Sequence, residues 1–277
     1  FPDDPRALLL DADQLRRAGR DEDARLRLDG LGNAEALAPE VRRAAARLHA
    51  LLGDPVSAAR MLARGPQDEA TRRERARLLL EAGDLPALAA LYEELRTLED
   101  VPPPERSLLL GMLAERLGRW HAAENWYASV PRGAGYDQAR LRRAAALARL
   151  GRQMQAQAAL ESLQDDPDAD GEFVRDAYLL EAELVERGGD PAAALDALDR
   201  GLALFEGDPA LLYARALLRE RSGRVEDGLA DLRRILDEDP DSAQALNAYG
   251  YMLLVRRDDA LAALPYLERA HALAPDS

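Results

Sequence analysis

Two arginine pairs with the same spacing, Arg43 with Arg47 and Arg73 with Arg77, hold the clearest recognition chemistry in the sequence. Residues four apart share one face of a helix. Each guanidinium carries a planar fork of donors that fits a carboxylate at two points. Four such forks in one groove could grip a carboxylate or an acidic peptide. The competing outcome is a solvated basic face paired with Glu40, Glu74 and Glu81. A second set, Tyr213, Leu217, Asn247, Tyr251 and Leu254, also has helical spacing. Its tyrosines offer rigid contact area, and its amide can pair with a peptide backbone. The alternative there is packing between adjacent helices, or cover by a following repeat. Trp120, Trp126 and Tyr127 cluster, and Trp126 is a candidate exposed anchor.

Other chemistry is thin. Asp166-Pro167-Asp168-Ala169-Asp170-Gly171-Glu172-Phe173 matches the first half of a calcium loop, but the twelfth position, which needs a bidentate glutamate, is Ala177. Acidic residues there equally suit the cap of a following helix, so no metal is assigned. His49, His121 and His271 are widely separated, and no G-x-S-x-G, H-E-x-x-H or phosphate-binding glycine loop occurs. Cysteine is absent and every cation is arginine, which removes thiol nucleophiles, disulfides, zinc–thiolate sites and Schiff-base lysines. The expectation is a chain that is not an enzyme and needs no cofactor. Its net charge of −14 disfavours nucleic acid as a partner.

The elements that must position these residues are helices. Alanine and leucine dominate, aromatics are only 5%, and 47% of the 277 residues are apolar, enough for a large core. The length alone would suggest about two domains, but a repeat ladder points to one continuous array. A small residue recurs at Ala12, Ala46, Ala76, Gly111, Ala144, Ala182, Ala216 and Gly250, a period of about 34 residues. A glycine follows seven residues later at Gly19, Gly53, Gly83, Gly118, Gly151, Gly189 and Gly223. Five residues further come Ala24, Ala58, Leu88, Ala123, Ala156, Ala194 and Gly228. The small residues mark places where two helices cross closely, and the glycines end the first helix of each pair. Pro167, Pro240 and Pro275 close second helices. The last copy departs from the pattern, with Arg257 in the glycine place and one extra residue before Ala263.

This ladder resembles tetratricopeptide (TPR) repeats; the best copy holds Leu110-Gly111, Gly118, Trp120, Ala123 and Tyr127 at family positions. The resemblance implies an all-α, right-handed superhelix of about eight helix–turn–helix repeats, at roughly 5–38, 39–68, 69–103, 104–136, 137–170, 171–208, 209–242 and 243–277. It also implies a concave face lined by first helices, on which Arg43, Arg47, Arg73, Arg77, Tyr213, Leu217, Asn247, Tyr251 and Leu254 would point inward. Over the last seventy residues, Asp208-Pro209-Ala210-Leu211-Leu212-Tyr213 and Leu246-Asn247-Ala248-Tyr249-Gly250-Tyr251 resemble the TPR outer-membrane lipoproteins of Gram-negative bacteria. That resemblance implies a periplasmic adaptor for a carboxyl-terminal processing protease, delivering cell-wall hydrolases to it. A lipid anchor upstream of Phe1 and further repeats after Ser277 would follow from it. A structural scaffold of an exopolysaccharide-export or cell-wall-synthesis assembly is the alternative, and a cytoplasmic location stays open.

Overall fold

A computed structural model describes residues 4–32, 36–98 and 101–274. Among them are sixteen helices and no strand, the all-α class expected from the ladder. They fall into two compact units, Phe1–Tyr136 and Asp137–Ser277. In the first, α1 (Pro5–Arg17) is followed by α2 (Asp21–Asp29), α3 (Pro39–Leu51) by α4 (Pro55–Ala63), α5 (Glu69–Ala82) by α6 (Leu85–Arg96), and α7 (Pro104–Arg116) by α8 (Trp120–Ala128). The second unit opens with α9 (Tyr136–Arg149) and α10 (Gln153–Gln164), then α11 (Gly171–Arg187) and α12 (Pro191–Leu204). It continues with α13 (Pro209–Arg221), α14 (Val225–Glu238), α15 (Ala243–Arg256) and α16 (Ala260–Leu273). Within each unit a helix packs on its partner and on the next pair along the chain, as α4 does on α5 and α14 on α15.

Sequence chemistry explains where the helices start. Asp54, Asp68, Asp84, Asp190, Asp208 and Asp259 each accept a backbone N–H of the first turn, satisfying donors that have no partner inside the helix. Asp54-Pro55, Asp190-Pro191 and Asp208-Pro209 add a proline whose fixed φ suits the first helical position.

The ladder fixes how close the helices come. Ala12, Ala76, Ala144 and Ala216 are at most 1% exposed, and Ala24, Ala58, Leu88, Ala123, Ala156 and Ala194 are fully buried. Where the small residue is glycine, the facing helix fills the freed space. A Cβ at Gly111 would run into the Tyr127 ring, and one at Gly250 would lie 2.7 Å from Leu267 Cγ. All seven ladder glycines take the left-handed conformation. In the last pair, Arg257 stands in the glycine place with φ −106°, and the left-handed position moves one residue on, to Asp258 at φ 54°. The extra residue before Ala263 is therefore absorbed in the turn, and Ala263 stays 1% exposed. Asp258 is the only non-glycine residue with positive φ among the described residues. Pro240 lies two residues past the end of α14 and Pro167 three past the end of α10; Pro275 lies outside the described residues. No helix among the described residues is long and apolar enough to cross a membrane.

Candidate functional site

The first unit opens a groove of about 680 Å³ between α3 and α5. Arg43, Arg47 and Arg77 line it, with Asp68, Glu74 and Glu81. Arg43 and Arg47 are exposed, and neither forms a hydrogen bond or ion pair among the described residues. Arg43 nevertheless faces Asp68, whose carboxyl is held below its ordinary pKa chiefly by Thr71 hydrogen bonds, with Arg43 adding to the effect. Arg77 differs. It donates to Glu74 at 2.8 and 3.0 Å and to Glu81 at 3.0 Å, and the Glu74 hydrogen bond raises its pKa further. Glu40 pairs with Arg6 at 3.3 Å rather than with Arg43.

Arg73 lies on the next groove, about 340 Å³ between α5 and α7, lined also by Arg77, Leu80, Leu108, Leu109 and Met112. It too is exposed and without an ion pair among the described residues. The four arginines therefore do not converge on one groove. Three share the first, and Arg77 stands on the wall between the two.

Other arginines, which sequence reasoning passed over, point inward and act as polar locks. Arg75, 7% exposed, forks onto Glu94 with both contacts at 2.8 Å and donates to Gln67 at 2.6 Å. In the second unit the same repeat positions hold the opposite charges: buried Glu181 accepts from Arg200 at 2.7 Å and from Gln164 at 2.8 Å. Arg75 and Glu181 both stand one residue before a ladder alanine, Ala76 and Ala182, and Glu94 and Arg200 both follow 19 residues later. Arg215, one residue before Ala216, joins Arg219 in holding buried Asp231 at 2.6–2.9 Å. The place just before the small residue was the signal that marked these locks.

The tyrosine-rich set is divided. Tyr213 and Leu217 are half-buried and packed on the core of the second unit. Tyr251, 51% exposed, and Leu254, 39% exposed, face outward on α15 together with Asn247. A groove of about 500 Å³ takes in Tyr213 beside Pro209, Glu238, Asp239 and Ser242; the other four residues are not on its walls.

Trp126 is corrected by its surroundings: it is half-buried, and its indole N–H donates to the Tyr92 hydroxyl at 3.1 Å. A buried indole needs such a partner, so this side chain ties α8 to α6 instead of standing free. The acidic stretch is likewise engaged in folding. Asp166 accepts from Arg140 at 2.8 Å and Asp170 caps α11 through the Glu172 amide at 2.9 Å. No cluster of three or more metal-ligating side chains occurs among the described residues. His49, His121 and His271 lie on α3, α8 and α16. His49 is buried, 3.9 Å from Asp54, and burial lowers its pKa while Asp54 opposes the shift.

No family model matches the chain. A TPR repeat-containing protein of Pseudomonas aeruginosa is 33% identical over 168 residues, which is 60% of this chain and 28% of the relative. The chain thus spans less than a third of that relative's length. Among solved structures, MamA is 17% identical over 60% of this chain and 95% of its own, with a TM-score of 0.45. YrrB, a TPR protein with an unusual peptide-binding site, is 18% identical over 69% of this chain and 93% of its own, at 0.43. The Cut9–Hcn1 complex of the APC/C gives 15% identity over 92% of this chain and 51% of the matched chain, at 0.47. The ladder, the helix pairs and the Pseudomonas relative support a repeat protein of the tetratricopeptide type.

Proposed function

We propose that this repeat protein is a non-catalytic scaffold that binds segments of other proteins. The observation that carries the reading is the groove between α3 and α5. It is about 680 Å³ in volume and presents exposed Arg43 and Arg47, which make no ion pair among the described residues, beside Asp68 and the Arg77–Glu74–Glu81 network. A cation left unpaired on a chain of net charge −14 is placed to meet a carboxylate from outside.

The finer form of the proposal is a periplasmic lipoprotein adaptor that brings cell-wall hydrolases to a carboxyl-terminal processing protease. Its support is the sequence resemblance over Asp208–Tyr251. A pull-down from envelope extract tests both levels. The expected catch includes a carboxyl-terminal processing protease, with faster cleavage of its substrate when this chain is added. Export or cell-wall-synthesis components without a protease would replace the adaptor by a structural envelope scaffold. An empty pull-down would sink the scaffold reading itself.

A further inference from the structure

The two grooves flanking α5 share a wall but differ in chemistry. The groove toward α3 displays Arg43 and Arg47, exposed and without an ion pair among the described residues. The groove toward α7 is walled by Leu80, Leu108, Leu109 and Met112, with exposed Arg73 beside them. Between the two stands Arg77, already neutralised by Glu74 and Glu81. Two carboxylates thus hold the one cation of the shared wall, and Asp68 and Glu105 line the grooves beside it. None of these carboxylates forms an ion pair with Arg43, Arg47 or Arg73 among the described residues.

We propose that these two grooves together take one extended segment of a partner protein, bearing carboxylates and, close by in sequence, a bulky aliphatic or aromatic side chain. This deepens the scaffold reading and rests on it. Charge selects the carboxylates: the donor forks of Arg43, Arg47 and Arg73 are bonded to no carboxylate among the described residues, so they can grip one from a partner, whereas a basic segment would meet them as like charges. The apolar walls select the second side chain, because Leu108 and Met112 are only half-buried and leave surface that such a group would cover. Geometry sets the spacing. Grooves on opposite sides of one helix lie about 10 Å apart, and an extended chain advances about 3.3 Å per residue. The carboxylate and the apolar residue should therefore be roughly three positions apart. A long polyphosphate fits less well, because most of its length would run over a chain of net charge −14.

The test is a random dodecapeptide library displayed against the full chain. Peptides are scored when they are retained by the wild type and released by the Arg43→Gln/Arg47→Gln/Arg73→Gln variant. All three side chains are exposed, so circular dichroism of the variant should match the wild type. The scored peptides are expected to carry a carboxylate and a Leu, Ile, Met or Phe about three residues apart. Their affinity should fall about tenfold or more in the triple variant, and raised salt should weaken them. Met112→Gln should erase the preference for the apolar residue and keep that for carboxylates. Neutral or basic scored peptides would overturn the proposal. So would competition by a thymidine dodecanucleotide as strong as by the peptides themselves, which would mean an unselective polyanion patch. Peptides that bind wild type and triple variant equally would remove this proposal and leave the scaffold reading standing, whereas an empty pull-down removes the scaffold reading.

Discussion

Arginines crowd two first helices, α5 in the first unit and α13 in the second, with different results. On α5, Arg75 turns inward onto Glu94 while Arg73 and Arg77 stay exposed beside the grooves. On α13, Arg215 and Arg219 both turn inward onto Asp231, a carboxylate only 2% exposed. What separates a lock from a recognition group is the second helix beneath it. Where α14 offers Asp231, the guanidiniums are consumed by folding. Where the nearby carboxylates bond elsewhere or only face the cation across the groove, as Asp68 faces Arg43, no ion pair forms among the described residues, and Arg43, Arg47 and Arg73 remain for a partner. The late groove is left with Tyr213 beside Glu238 and Asp239, a surface of the opposite charge.

The sharpest way to break this contrast is Asp231→Ala. It strands Arg219 and leaves Arg215 only its bond to Asp199, and the expected cost to the second unit is about 3–5 kcal/mol. Chemical denaturation followed by segment-resolved hydrogen exchange would show the loss; a change under 1 kcal/mol would mean that Arg215 and Arg219 are no lock. A charge exchange asks the same question of the first unit. Arg75→Glu or Glu94→Arg alone opposes like charges and should cost about 1–3 kcal/mol, discounted because Glu94 is 41% exposed on its side chain. The double exchange rebuilds the Glu181–Arg200 arrangement of the second unit and should recover most of that loss. Equal damage from single and double variants would show that the two pairs are not equivalent.

A smaller effect separates the units by pH. Among the described residues, His49 is the one buried histidine, and it belongs to the first unit. Burial holds its folded pKa below the ordinary value of 6.5, with Asp54 and Asp29 opposing and Arg60 assisting. The unfolded chain then binds more protons as pH falls through about 6.5, so the contribution is complete above that value and is lost below it. Hydrogen-exchange protection in the first unit should decline between about pH 7.5 and 5.5, and His49→Gln should flatten the decline. An unchanged slope in that variant would assign the pH response to other groups.

Much of the fold was legible because its determinants are local. A small residue at a helix crossing, a left-handed glycine and an aspartate–proline cap each depend on a few neighbouring residues. The shift of the left-handed position from Arg257 to Asp258 was half visible, as a missing glycine and one surplus residue. The sites were less legible because pairing is not local. Arg77 and Arg43 look alike along a helix, and only the placement of Glu74, Glu81 and Asp68 tells them apart. Trp126 looked like a free anchor because its partner, Tyr92, stands 34 residues away.

The most direct test of partner recognition by the first unit uses a photo-crosslinking benzoylphenylalanine. It is placed at Met112, beside the paired grooves, and separately at Tyr251, on the outer face of α15. A protein partner should crosslink at position 112, and the crosslink should vanish when Arg43, Arg47 and Arg73 are changed to glutamine. Crosslinking at position 251 alone, or a crosslink at 112 that persists without the three arginines, would contradict the assignment of recognition to the arginine grooves.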